Sequence, residues 1–263
     1  MMNKFNAFLG AAALSLVFQG QAFANETLSV GATPVPHAEI LEFVKPILAK
    51  EGVDLKIVEF NDYVQPNLAT DDGQIDANYF QHRPYLEAFC KDHGLDIQEV
   101  AAVHIEPMGI YSKSIKDLKD LKDGATVAIP NDPTNGGRAL LLLQSAGLIV
   151  LEDPSNLSAT ALDIKENPKN LEFKELEAPQ LPRSLDEVDI SVINTNYAIG
   201  ANLNPLQDAI FLEKPDSPYV NILVANPNSA KKDAMAKLIK ALQSQETYDF
   251  IEEKYKGAVV PAF

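Results

Sequence analysis

Val127 to Leu148, VAIPNDPTNGGRALLLLQSAGL, is the stretch whose reading decides the fold. An apolar run, Val127 to Ile129, stops at Pro130, which breaks the strand pattern. The turn formers Asn131, Asp132, Pro133, Thr134, Asn135, Gly136 and Gly137 follow, and a helix then begins with Arg138 in its first turn. Strand, polar turn and helix start form the standard location for a small-ligand site in an α/β protein. Helix-start N–H groups attract anions, and the fork of an arginine matches a carboxylate. The stretch predicts a pocket for a small carboxylic acid. The plainer alternative is an ordinary strand–helix loop with its arginine in solvent.

The same alternation continues on both sides. Leu28-Ser29-Val30 reads as a strand ending at Gly31, and Ile40, Leu41, Val44, Ile47 and Leu48 fall at helical spacing. Leu55 to Phe60 reads as a second strand and Ile75 to Ala77 as a short one, with a helix from about Arg83 to Asp92. Val100 to Ile105 and Ile110-Tyr111 read as extended, interrupted at Pro107. Lys113 to Asp123 is a charged surface segment leading into a second unit. That unit holds the Val127 strand, Leu171 to Leu176, a helix after Pro182 and the strand Ile190 to Ile193. Beyond it come Ala209 to Leu212 and the strand Val220 to Val224. A helix capped by Ser229 follows, with Met235, Leu238, Ile239 and Leu242 on one face, and then a short helix to Tyr255. This order predicts α/β layers with mostly parallel sheets, packed as two lobes around a ligand cleft.

Residues 1–24 read as a signal peptide. Lys4 is the sole charge before Glu26, Ala7 to Phe18 is an apolar core, and Ala22-Phe23-Ala24 offers a small-x-small cleavage site. The apolar run is too short and interrupted for a permanent membrane span. Lys and Arg number 22 against 37 Asp and Glu, a formal charge of −15 that argues against nucleic acid and anionic membranes as partners. Cys90 is the only cysteine, which rules out an internal disulfide. Its LEAFC setting predicts a buried, inert thiol.

Four strand ends collect polar and aromatic residues. FNDYVQPN (Phe60 to Asn67) exposes Asn61, Asp62 and Tyr63 where a strand gives way to a turn. DANYFQHRPYL (Asp76 to Leu86) offers Asn78, Tyr79, Phe80 and His82 after a short strand. Tyr63, Tyr79, Phe80 and His82 could form an aromatic box that suits a thioether. The alternative is that the aromatics are core and the polar residues turn formers. VINTNYA (Val192 to Ala198) delivers Asn194, Asn196 and Tyr197, and SPYVN (Ser217 to Asn221) delivers Asn221. Amides both donate and accept, so they can hold a zwitterion without a competing charge.

Enzyme readings find little support. Neither G-x-S-x-G nor H-E-x-x-H occurs, and His37, His82, His93 and His104 do not pair at ligand spacing. Cys90 and His93, three apart on a helix, fall short of a structural zinc site. A non-catalytic protein without metal or cofactor is expected.

The segments FNDYVQPN, IDANYFQHRPYL, VAIPNDPTNGGRALLLLQSAGLI, ENPKNLEFKELEAPQLPRSL and VINTNYA resemble the methionine-binding substrate proteins of ABC importers, the MetQ or NlpA lipoproteins. The resemblance runs over essentially the whole chain after residue 24. It implies a bilobal, type II-like periplasmic-binding-protein fold. Lobe 1 would take residues 25–110, lobe 2 residues 111–200, and residues 201–263 would return to lobe 1. It also implies capture of L-methionine in the cleft and delivery to a separate permease and ATPase complex. One cleft per chain needs no oligomer, so a monomer is expected. Mapped by motif, Arg138 would hold the α-carboxylate with Asn135 and the helix start nearby, and Asn194 and Asn221 would meet the amino-acid head group. Tyr63, Tyr79, Phe80, His82 and Tyr197 would line the side-chain pocket. D-methionine, a methionine-containing dipeptide or another amino acid remain rival ligands, and a surface adhesin with vestigial binding is a rival of another class. No cysteine follows the signal, so a soluble periplasmic protein cleaved near Ala24 is expected, in place of the family's lipid-tethered form.

Overall fold

The computed structural model describes residues 25–214 and 218–263, so the signal-peptide reading of residues 1–24 lies outside the described residues. The chain first lays down β1 (Glu26–Ala32), β2 (Val53–Glu59), β3 (Ala77–His82) and β4 (Gln98–Ile105). It then crosses to form β5 (Gly109–Tyr111) and β6 (Thr126–Pro130), and a ribbon of β7 (Val150–Leu151) and β8 (Ile164–Glu166). The strands β9 (Glu172–Leu176), β10 (Ile190–Ile193) and β11 (Phe211–Leu212) complete this second part. It crosses back for β12 (Val220–Ala225) and β13 (Val260–Pro261). One sheet runs β13-β4-β12-β3-β1-β2 and the other β11-β5-β10-β6-β9, which makes a bilobal α/β molecule.

Each lobe has its own apolar core. Leu28, Val30 and Ala32 of β1 face the helix Glu39–Lys50, whose Ile40, Leu41, Val44 and Leu48 are buried at helical spacing. In the second lobe Val127 and Ile129 of β6 pack with Leu140 and Leu143 of the helix Pro133–Ser145 and with Val192 of β10. Each such fully buried side chain contributes on the order of 2 kcal/mol.

The sheets are mixed, not mostly parallel as the alternation predicts. β1 runs parallel to β2 and β3, and β6 parallel to β9 and β10. β12 runs antiparallel to β3 and β4, and β5 antiparallel to β10 and β11. The double crossing is the cause. A strand–helix repeat ends its strands at the cleft, whereas β5 and β12 arrive from the other lobe and start there.

Three local expectations are corrected. The strand placed at Ile75 to Ala77 is instead β3, Ala77–His82, all six residues of which are buried between β1 and β12. Its amides do not make a turn: Asn78 donates to Thr70 (2.7 Å) and Asn67 (3.0 Å) of the helix Gln65–Asp71, Gln81 donates to Asn78 (2.8 Å), and Asn67 donates to Gln81 (2.9 Å). Ser229 does not cap the following helix, which runs Lys232–Leu242 with Lys231 at its N-cap. The Ser229 hydroxyl accepts from the Lys231 N–H at 3.3 Å. Cys90 is half-buried, and that burial pushes its thiol pKa up.

Candidate ligand-binding cleft

The helix that follows β6 begins five residues earlier than expected. Pro133 opens it, a position where the missing N–H costs nothing, and Asp132 caps it by accepting from the Asn135 N–H at 2.9 Å. Gly136 and Gly137, read as turn, lie inside the helix. A Cβ on Gly137 would stand 2.3 Å from the Leu157 carbonyl oxygen, so glycine there permits close backbone approach. Two consequences correct the initial reading. Arg138 belongs to the second turn, and the helix start is already served by the Asp132 carboxylate instead of waiting for a ligand anion.

Between the lobes lies a cleft walled by strand ends. Of the residues expected to form the site, Tyr63, Phe80, His82, Asn135, Arg138, Asn194 and Asn221 line it together. A β-bulge helps to place two of them. Ile222 pairs with Gln81 and Leu223 with Tyr79, so Phe80 is the extra residue of β3, which re-aims the strand toward the cleft. Tyr79 does not line the cleft. It is buried in the first lobe's core, where its hydroxyl bonds His104 Nδ1. Tyr197 stands at the cleft mouth: its hydroxyl donates to the Asn61 carbonyl at 3.2 Å, and its ring lies 5.1 Å from that of Tyr63. Tyr63 answers from the other lobe, its hydroxyl donating to Asn196 Oδ1 at 2.6 Å. The two tyrosines therefore form a reciprocal clasp across the cleft.

Arg138, 3% exposed, donates from Nε to Glu213 Oε1 at 3.1 Å and from Nη2 to the Glu106 carbonyl at 2.7 Å. Burial acts to lower its pKa, but the Glu213 carboxylate outweighs this and holds it up. Its fork is thus paired within the protein. Asn135 Oδ1 receives Asn194 Nδ2 at 2.8 Å and lies 3.1 Å from His82 Nε2. The buried Asn194 Oδ1 has no donor among the described residues.

Glu106 also lines the cleft, and the sequence reading missed it. It sits at the end of β4 before Pro107, a strand-end position like those of Asn194 and Asn135, and that was the available signal. His37 and His104, distant in sequence and read as unpaired, meet there. Their Nε2 atoms lie 3.2 Å and 2.8 Å from Glu106 Oε1, and the three ligating atoms fall within 4.8 Å of one another. The hydroxyls of Thr33 and Tyr79 bond the two Nδ1 atoms, which turns both Nε2 positions toward the carboxylate. Burial holds the His37 pKa down at about 4 and that of His104 at about 3, so both rings are neutral at pH 7. Such a donor set has the chemistry of a metal site, and with both rings neutral each Nε2–H is placed to donate to the Glu106 carboxyl group. His82 is also pushed down to about 3, by burial and then by Arg138. Burial raises the Glu106 pKa, opposed by His37 and Arg138. The cleft thus presents a cationic fork, a cradled carboxylate, an unmatched acceptor and the aromatic wall of Tyr63, Phe80 and Tyr85.

Comparison with known proteins gives a consistent picture. The family profile described as NlpA lipoprotein matches residues 28–263. A nutrient-binding protein from Burkholderia cenocepacia, solved bound to methionine, is 48% identical with a TM-score of 0.87, over 90% of this chain and 100% of that one. The D-methionine-binding lipoprotein MetQ of Salmonella typhi is 46% identical over 97% of this chain and 94% of its own. A periplasmic substrate-binding protein of an ABC transporter from Coxiella burnetii is 41% identical with a TM-score of 0.85, over 89% of this chain and 100% of that one. These names overturn the expectation of a freely diffusing periplasmic protein. The family and its curated relatives are lipoproteins, held at a membrane by acyl chains whose buried methylenes supply the anchoring energy.

Proposed function

Because the chain belongs to the NlpA lipoprotein family, we propose that it captures methionine between its two lobes and hands it to an ABC importer. The observation that carries the reading is the unmatched Asn194 Oδ1, buried in a cleft that also holds Arg138 and Glu106. A free amino acid complements that arrangement: it offers a donor to the unmatched amide oxygen, a carboxylate to the N–H groups of Arg138 that Glu213 leaves free, and an ammonium to Glu106. In this reading the ligand carboxylate meets Arg138, and the ammonium sits among Glu106, Asn221 and Asn194. The thioether rests against Tyr63, Phe80, His82 and Tyr85, a contact sulfur favours. Asn135 acts by orienting His82 and Asn194, and Tyr197 by closing the mouth.

None of these side chains is given a catalytic role, and one chain completes one cleft, so the working unit is a monomer. Ligand favours the closed state because only there do both walls touch it. L-methionine is the ligand proposed, and the enantiomer in the curated relatives' names makes D-methionine the second reading. Thermal unfolding of protein stripped by denaturation and refolding tests this. A ligand at a hundredfold its Kd adds about 2.7 kcal/mol. A shift with L-methionine exceeding that with D-methionine, other amino acids and Gly-Met is expected. No shift with any of them would overturn the reading.

A further inference from the structure

We infer that Glu213 is the positioning residue that turns Arg138 into a reader of the ligand carboxylate and ties that reading to both chain crossings. The inference rests on the methionine-binding role proposed above. Glu213 follows β11, on the chain's return crossing between the lobes. Its Oε1 accepts from Arg138 Nε at 3.1 Å, and its Oε2 accepts from Arg138 Nη2 at 2.5 Å. The same Oε2 accepts from the backbone N–H of Met108 at 3.1 Å, and Met108 lies on the outward crossing between β4 and β5. Arg138 Nη2 also donates to the carbonyl of Glu106, the residue that follows β4. One carboxylate therefore joins a helix of the second lobe to the two segments about which the lobes must turn.

The geometry decides which edge of the guanidinium faces the ligand. Arginine has five N–H donors in a fixed plane. Nε and Nη2 are engaged by Glu213 and Glu106, and the Tyr219 ring lies 4.2 Å from the guanidinium carbon. Among the described residues Nη1 makes no hydrogen bond, and it is the edge left to a ligand in the cleft. Glu213 also pairs the charge, which lets a fully buried arginine wait in the cleft without an uncompensated cation. Sequence distance hides this role, because Glu213 lies far along the chain from Arg138 and outside every motif that suggested the site.

The test compares L-methionine with L-methioninamide, which lacks the carboxylate charge, by calorimetry on stripped wild type, E213Q and E213A. Wild type is expected to prefer methionine by about a hundredfold, the scale of one charge-assisted pair. E213A should lose about tenfold in methionine affinity with little change for the amide, and E213Q, which keeps the shape and one acceptor, should recover part of the loss. Equal losses for both ligands would make Glu213 merely structural and overturn the inference. The Arg138 Nε–H resonance in ligand-free protein gives a second readout. It should move in E213Q, and an unmoved resonance also overturns the inference, even where E213A fails to fold. Wild type that binds no methionine sinks the proposed function instead, and the resonance still decides the place of Glu213.

Discussion

Beside β3, the side chains of Asn67, Thr70, Asn78 and Gln81 form a buried polar cluster that bonds within itself and to the Pro66 carbonyl. At the cleft end of the same strand, Asn135, Asn194, Asn196 and Asn221 form a second cluster of similar composition. This one is joined to His37, His82 and Tyr63 and leaves Asn194 Oδ1 unmatched. Both are built from small amides and both are buried, so composition cannot tell them apart. The difference lies in completeness. A closed network fixes the register of a central strand, whereas an open one keeps a place for a group from outside.

Acid should separate the two clusters most strongly, because only the cleft cluster contains titratable groups. The folded-state pKa values of His37, His82 and His104 lie below the ordinary value of 6.5, at about 4, about 3 and about 3. The unfolded chain therefore takes up protons first. Their contribution is present above about pH 6.5 and is lost as pH falls toward the folded values, at up to about 1.4 kcal/mol per pH unit for each ring. Glu106, raised by burial, works in the opposite direction. Urea unfolding between pH 7 and 4 should show a loss of several kcal/mol, and a flat profile would break the assignment of neutral buried rings.

Arg138→Ala comes next. It removes the cationic side of the open cluster and strands Glu213, so we expect methionine affinity to fall at least about a hundredfold and stability by about 3–5 kcal/mol. Near-wild-type affinity by calorimetry would take Arg138 out of the site. Asn78→Leu strikes the closed cluster and should cost about 3 kcal/mol in urea while leaving methionine affinity within about twofold. A large affinity loss there would mean that the clusters are coupled. Asn194→Ala should do the reverse, weakening binding about tenfold with ligand-free stability held within about 0.5 kcal/mol. Unchanged affinity would show that its orphan oxygen serves no ligand. The smallest effect is expected from Tyr63→Phe, which opens one half of the clasp and costs about 1 kcal/mol of closed state, or about fivefold in affinity. Slower ligand release in that variant would contradict the clasp.

Much of this was legible in the chain, and the misses have physical causes. Apolar runs ending in Asn, Tyr and Arg marked the cleft wall because α/β architecture brings strand ends together. Gly136 and Gly137 misled because a glycine that permits close packing has the same letter as one that makes a turn. Tyr79 and Phe80 share one motif, yet as neighbours on a strand they face opposite ways, Tyr79 into the core and Phe80 into the cleft. The meeting of His37 with His104, and of Arg138 with Glu213, depends on crossings between lobes and left no local pattern. Membrane attachment was also misjudged. The lack of a cysteine near Ala24 points to a soluble protein, and the family's lipoprotein character overturns that expectation.

The position of β12 sets an order of assembly. It fills the slot between β3 and β4 in the first sheet, yet it is made after every strand of the second. As the chain emerges, residues 109–212 already contain a complete second sheet. The first lobe, although begun earlier, holds two unpaired edges open until residues 220–225 arrive. The lobe that starts synthesis is therefore the last to finish, and the cleft cannot exist before it does.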